Sequence, residues 1–435
     1  ATTNPIDQLK VVGQPTDRID GPLKTTGTAT YAYEQHAAAP GAVYGYIVGA
    51  AIAKGRIEAV DARPASQAPG VLAVISAANA GKLDKGAFYA ARALAGPDVD
   101  HYHQAVAIVV AETFEQARAA SQLIKVDYGR HVGAYDLEKA RAGAKVTKKG
   151  DAPNSNVGNF DAAFATAPVQ LDAQYTTPDH SHAMMEPHAS IAMWEGDKLS
   201  VWTSNQMINW GAGDLARTLG LPRENVRIMS PYVGGGFGGK LFLRADVVLA
   251  SLAARQVGRP VKVMLPRPLI ANNTTHRPAT VQRIRLGAGR DGKLTAIAHE
   301  SWSGDLPDGS PENAAAQTQL LYAGANRLIT TRLAVLDLPE GNAMRAPGEA
   351  PGLMALEIAM DEMAEKLDMD PVKFRIVNDT QVDPENPQRP FSQRQLVKCL
   401  EDGAKRFEWS KRKARPGSTR DGRWLVGMGV AAAFR

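Results

Sequence analysis

The 435-residue sequence contains one cysteine, Cys399. A single thiol excludes an internal disulfide, a Cys-ligated iron–sulfur cluster and a zinc ribbon. Cys399 lies in the helical pattern QRQLVKCLEDGAKRF, where a buried, inert thiol is expected rather than a catalytic one. Long hydrophobic runs are missing too, since no stretch reaches the roughly 18 apolar residues of a membrane span. The opening residues, ATTNPIDQLKVVG, lack the apolar centre of a signal peptide. The net charge of +5 is small for this length and gives little support to nucleic-acid binding.

Glycine and proline, by contrast, are plentiful at 40 and 27 residues, which predicts many turns and loops. The length exceeds a single hydrophobic core, so two or more domains are expected. Residues 1–13 read as a tail. Apolar alternation from Val43, the run VLAVIS (71–76) and the sequence VAIVVAETFEQARAASQLIKVDY predict strands and one helix, with Thr113 as its cap. This makes a small α/β domain over 14–130. The segment 131–158 is polar, basic and turn-rich and reads as a linker.

A larger domain is expected over 159–435. VQLDAQYTT, ASIAMWEG and KLSVWTS read as strands; INWGAGDLARTLG, ADVVLASLAARQVG and GLMALEIAMDEMAEKLD read as helices. The first two helices end on Gly220 and Gly258, as C′ glycines would. The final RWLVGMGVAAAFR reads as a strand entering a sheet with nothing to pair against, so a fragment of a longer chain is expected.

The most distinctive segment is Gly234-Gly-Gly-Phe-Gly-Gly-Lys240, between the strand-like VRIMS and the helical run LFLRADVVLASLAARQ. Glycines let backbone N–H groups crowd toward a ligand, and a helix N-terminus favours an anion. Three readings compete. As a phosphate-binding loop, Gly234, Gly239 and Lys240 satisfy G-x-x-x-x-G-K, but Leu241 stands where Ser or Thr would hold magnesium. As a dinucleotide fingerprint, Gly234, Gly236 and Gly239 fit, but the next strand ends in Pro266-Arg267 rather than an acid. A tight structural turn would need fewer glycines.

GGGFGGK resembles the signature of molybdopterin subunits of the xanthine oxidase family, nearest its periplasmic, aldehyde-oxidising bacterial members. VVGQPTDRIDGPLKTTGTATYAYE, HAMMEPHASIAMWEGDKLSVWTSNQ, THRPATVQRIRLG and GNAMRAPGEAPGLMALEIAMDEMAEKLDMDPVKFRIVND are similar to family blocks in the same order. The likeness covers nearly the whole chain. It implies an α/β (α+β) architecture: an aldehyde oxidase/xanthine dehydrogenase a/b hammerhead domain, then the first of two molybdopterin-binding domains. It also implies molybdenum on molybdopterin cytosine dinucleotide, with a glutamate as general base beyond Arg435. Electrons would leave through [2Fe–2S] clusters and FAD, which the cysteine count assigns to partner subunits. A companion chain or segment would carry the second molybdopterin domain, and export to the periplasm would be led by a partner.

The resemblance assigns roles residue by residue. Gln206 matches a glutamine that hydrogen-bonds an oxo ligand, and Gly235, Gly236, Phe237 and Gly238 match the cofactor-contacting loop. Arg345, in NAMRAPG, matches an arginine beside pterin and substrate whose permanent charge suits developing negative charge on oxygen. Leu241 and Pro347 stand where purine-oxidising members place a glutamate and a phenylalanine, which favours an aldehyde pocket. Arg435 is expected to face substrate, and Arg277 aligns only loosely with a substrate arginine.

His180, His182 and His188 could suggest a metal site, yet no acid cluster completes it. A structural role is expected, with Glu186 and His188 shaping the pocket's outer shell. His101 and His103 read the same way, and the basic run Lys411–Arg415 reads as a solvated loop. The sequence thus predicts molybdenum-dependent oxidation of aldehydes to carboxylic acids, with water as oxygen source. The alternatives are hydroxylation of an N-heterocycle, a P-loop nucleotide-binding protein, and a non-catalytic scaffold.

Overall fold

The structure is a computed structural model and describes residues 11–87 and 92–434. The first part of the chain gives six strands: β1 (Val43–Gly49), β2 (Gly55–Asp61), β3 (Val71–Ser76), β4 (Asp98–Val99), β5 (Ala105–Ala111) and β6 (Lys125–Arg130). Between β5 and β6 lies the helix Phe114–Ser121. Thr113 caps it by accepting from Gln116 N, and the Gln116 side chain answers at the Thr113 amide. After them come β7 (Lys145–Val146), β8 (Ser155–Val157), β9 (Val169–Thr177), β10 (Ala189–Glu195) and β11 (Lys198–Thr203). Next come β12 (Val226–Met229), β13 (Val261–Met264), β14 (Thr280–Ala288), β15 (Leu294–Asp305) and β16 (Asn326–Val335), followed by two short hairpins.

These strands do not divide where the composition changes. A seven-stranded sheet runs β12-β11-β10-β13-β1-β5-β3, so strands from both regions share it. The junction is the parallel pairing of β1 with β13, Val43 opposite Val261 and Gly45 opposite Val263. Glycine is required at 45, because a Cβ there would lie 2.7 Å from the Ile108 side chain and 2.9 Å from that of Val263. β5 is buried along its whole length, which is why its sequence is a continuous apolar run rather than an alternating one. β2, β4 and β6 form a separate three-stranded sheet.

A second large sheet runs β7-β16-β15-β14-β9, with β8 also on β16. The segment expected to be a linker therefore supplies two short edge strands: Val146 pairs with Arg332, and Asn156 with Leu328. Its polar composition is compatible with this, since an edge strand leaves many side chains in water. The helix Glu349–Lys366 covers the second sheet, packing Leu356, Met360 and Met363 against Ile284 and Leu286.

Three further expectations change. The helix after the glycine loop begins at Ala245, not Leu241. Leu241 N bonds back to Gly238 O and Lys240 N to Gln206 Oε1, which closes a tight turn at 238–241, and the extended Arg244 is the residue that caps the helix. Among the described residues, the strand expected near the end pairs only with Thr419–Asp421, in an exposed hairpin turned by Gly422 and Arg423, and does not enter a large sheet. Its register, Asp421 opposite Trp424, leaves a two-residue turn with Gly422 at φ 57°. Cys399 sits on the helix Leu396–Arg406 but is exposed. Leu396, Val397 and Leu400 take the inner face, and Cys399 lies about a third of a turn away from it.

Gly220 and Gly258 do close their helices in the left-handed conformation. Of the N-terminal tail, only residues 11–13 are described. Among the described residues, no helix is long and apolar enough to cross a membrane.

Candidate cofactor site

Strands β11 and β12 are adjacent and parallel, Leu199 opposite Val226 and Trp202 opposite Met229. Whatever follows their carboxyl ends emerges on the same side of the sheet, the usual location of a ligand in such folds. After β11 comes Gln206; after β12 comes the glycine loop. Positive φ at Gly235 (95°), Phe237 (52°) and Gly238 (98°) curls that loop. At 238 only glycine fits, because a Cβ would stand 2.5 Å from the carbonyl oxygen of Ala343. Phe237 is held in its unfavourable conformation by the Arg345 amide, which donates to its carbonyl at 2.7 Å.

The loop is braced from beneath by buried side chains. Lys240 Nζ donates to Glu186 Oε2 (2.8 Å) and to the Glu186 carbonyl (3.0 Å), and Glu186 Oε2 also accepts from Gly234 N at 2.7 Å. Burial pulls Lys240 below the ordinary lysine range, and the Glu186 carboxylate opposes that. His188 Nε2 lies 3.0 Å from Gly239 O, and His182 Nε2 lies 2.8 Å from Ala343 O. Burial pushes His188 down to about 3, so the ring is neutral and its Nε2–H donates to that carbonyl. Burial also lowers His182. Both rings serve backbone carbonyls, while His180 only bridges to Arg277 through its backbone.

Above the brace, Gln206 Oε1 accepts from the amides of Gly238 (3.1 Å) and Lys240 (3.3 Å). Backbone N–H groups can only donate, so the carboxamide oxygen faces the loop and its NH2 is left to donate elsewhere. Asn205 Nδ2 donates to Lys240 O at 3.1 Å, which anchors the same stretch. Among the described residues, the N–H groups of Gly235, Gly236 and Phe237 have no hydrogen-bond partner. Nor does any ion pair engage the exposed guanidinium of Arg345. Three consecutive free amides and a carboxamide donor thus border one loop, to which the Arg345 backbone is bonded at Phe237 O.

Of the residues expected in the site, Gln206, Gly235, Gly236, Phe237, Gly238 and Arg345 are brought together. Pro347 lines a neighbouring cavity of about 400 Å³ with Phe242, Ala343, Asn342, Glu312 and Asp305. Leu241 does not line it; the half-buried Leu241 sits one residue before Phe242. Arg435 lies outside the described residues. Phe242, stacked parallel to Trp210 at 6.3 Å, was not singled out by sequence. Only its place beside Leu241 could have signalled it.

The molybdopterin cofactor-binding domain pattern matches residues 141–379, and the aldehyde oxidase and xanthine dehydrogenase a/b hammerhead pattern matches residues 27–131. The chain belongs to the molybdopterin-binding aldehyde oxidase and xanthine dehydrogenase family. Within that family, it is 67% identical over 435 residues to the aldehyde oxidoreductase molybdenum-binding subunit PaoC of Escherichia coli (strain K12). That match covers 100% of this chain and 59% of PaoC. The putative xanthine dehydrogenase molybdenum-binding subunit XdhA of the same strain is 30% identical over 448 residues, covering 95% of this chain and 58% of XdhA. The aldehyde oxidoreductase from Desulfovibrio gigas superposes with a TM-score of 0.81 at 22% identity, over 91% of this chain and 47% of that one. Quinoline 2-oxidoreductase from Pseudomonas putida 86 gives 0.81 at 22% identity, over 92% and 54%. The last two likenesses concern the fold. The chain spans 59% of the length of the curated relative PaoC.

A family cofactor of this kind presents oxo and phosphate oxygens, which need preorganised donors and close approach. The free amides of 235–237 and the Cβ-free contact at 238 meet both needs. The phosphate-binding-loop reading fails on the same geometry. Lys240 is fully buried on Glu186, and the loop is separated from the helix Ala245–Val257 by four residues.

Proposed function

We propose that this chain forms part of the molybdopterin-binding subunit of an enzyme that oxidises aldehydes to carboxylic acids. Water supplies the oxygen: an aldehyde and one water give the acid, two protons and two electrons. The observation that carries this reading is the row of three unpartnered amides at Gly235, Gly236 and Phe237, flanked by Gln206 and Arg345. PaoC, 67% identical, is named as an aldehyde oxidoreductase subunit, which supports the aldehyde assignment.

When bound, the molybdenum cofactor would supply the two-electron redox chemistry and the activated oxygen. This chain's residues hold and polarise. The amides of 235–237 and the NH2 of Gln206 would donate to cofactor oxygens, and Arg345 would stabilise charge that develops on oxygen. Glu186 Oε2 is held by Gly234 N and Lys240 Nζ, so this carboxylate serves the loop's brace. The cavity beside Pro347 and Phe242 admits a small neutral substrate. We assign the cofactor's cytosine dinucleotide form, the separate iron–sulfur and FAD subunits and a periplasmic location on the sequence resemblance.

The test uses the full-length subunit purified with its companions. Mass spectrometry of the metal should find molybdenum near one atom per complex. With an artificial electron acceptor, benzaldehyde-type compounds should turn over and hypoxanthine and nicotinate should not. Absence of molybdenum, or turnover of nicotinate alone, would overturn the assignment.

A further inference from the structure

The stretch Met344–Gly348, which carries Arg345, is fastened by residues that no role above absorbs. Arg277 is buried, and its backbone exchanges two hydrogen bonds with His180 at 3.0 Å each. Its Nη2 lies 3.0, 2.5 and 3.0 Å from the carbonyl oxygens of Met344, Arg345 and Ala346. Three successive carbonyls can meet one nitrogen only if the chain curls around it, and Ala346 accordingly sits at φ 59°. Nη2 carries two hydrogens, so three oxygens share them, and the guanidinium charge supplies much of the attraction. Behind it stands Glu312, 3.9 Å from Nε and buried. The Glu312 carboxylate accepts from the amide of Gly348, the second left-handed residue of the same stretch. Burial raises the carboxyl of Glu312, and Arg277 opposes the rise.

We propose that Arg277, backed by Glu312, is a positioning residue that sets Arg345 and, through it, the glycine loop. The link is the bond from Arg345 N to Phe237 O (2.7 Å): when 344–346 shifts, the cation and the loop carbonyl shift together. Arg277 itself does not face substrate, because its guanidinium is enclosed by the carbonyls it holds. This inference rests on the reading of Arg345 as the cation beside the cofactor.

The experiment compares Arg277→Met and Arg277→Lys with the parent in the full-length subunit, assembled with its companions. Three quantities are read: amide hydrogen exchange over 235–238 and 342–348, the split between kcat and KM for a neutral aromatic aldehyde, and the Mo(V) electron paramagnetic resonance signal. R277M should speed exchange in both segments by about tenfold or more. It should lower kcat by roughly 10- to 100-fold with KM within about threefold, and alter the resonance signal at unchanged molybdenum content. R277K, which keeps the charge, should fall between. Parent-like exchange and kcat in R277M would overturn the proposal. So would an activity loss that merely follows molybdenum loss and the unfolding midpoint. If R277M does not accumulate, R277K and Glu312→Gln carry the comparison, and parent-like exchange in both overturns it. Exchange is read without turnover, so it tests the fastening even if the parent oxidises no aldehyde.

Discussion

Replacing Gly238 with alanine should disable the site while leaving the fold largely intact. The new methyl carbon would stand 2.5 Å from Ala343 O, 2.9 Å from Ala343 C and 3.1 Å from Met344 Cα, all backbone atoms that cannot rotate away. Reaching ordinary contact requires the two segments to part by about 1 Å. That separation stretches the bond between Arg345 N and Phe237 O, about 1 kcal/mol. The φ of 98° adds roughly 1–3 kcal/mol of backbone strain. Local relaxation absorbs part of this, so a fall of a few degrees in Tm is expected. Activity should suffer more, because moving preorganised donors by about 1 Å costs on the order of 100-fold in rate. The matched control is Gly258→Ala, also at positive φ but with open space around it and far from the loop. It should show the Tm loss with parent activity. Steady-state kinetics and metal content on both proteins decide the matter. Parent-like kcat in G238A would refute the claim that loop and Arg345 segment are closely fitted.

Lys240→Met leaves the Glu186 carboxylate mostly buried without its cation, so destabilisation of about 3–5 kcal/mol is expected in chemical unfolding, against a smaller loss for Glu186→Gln. Gln206→Ala frees the Gly238 and Lys240 amides and removes a donor; kcat should drop about tenfold or more with little change in Tm, as stopped-flow and thermal melts would show. His188 and His299 are both pushed by burial to about 3, so below pH ~6.5 the unfolded chain binds protons that the folded rings refuse. Stability should then fall as pH falls from ~6.5 toward 3, by roughly 1.4 kcal/mol per ring per pH unit. Burial raises the Asp305 carboxyl to about 7, which acts in the opposite sense, lowering stability as pH rises from ~4 to 7. His299→Gln should therefore make the slope of stability between pH 4 and 6 shallower by about one proton, and an unchanged slope would count against the buried neutral ring.

Local signals carried much of the fold into the sequence. The alternation of VQLDAQYTT, the capping box at Thr113 and the terminal glycines at 220 and 258 each reflect forces acting within a few residues. Long-range pairing was not legible. Nothing near Val43 announces Val261 as its neighbour, and nothing in the polar stretch before Asn159 shows that β16 awaits it. The site divides the same way. The glycine loop stands out by its own composition, whereas Gln206 and Arg345 were legible only through the family resemblance. The braces Lys240–Glu186 and Arg277–Glu312 each join distant segments and emerge only from packing. Cys399 misleads for a related reason: one helical turn does not say which face meets the body.

The parallel seam between β1 and β13 also has a consequence for synthesis. During translation, the strand beginning at Val43 must wait for Val261 to leave the ribosome before one of its edges is covered. At ordinary elongation rates this is on the order of ten seconds or more. Through that interval a stretch as apolar as Ala105–Ala111 and its antiparallel neighbours form an incomplete sheet with a bare flank. Such a nascent chain is a natural client for chaperones, and its yield should depend more on how fast it is made than on how stable the finished protein is.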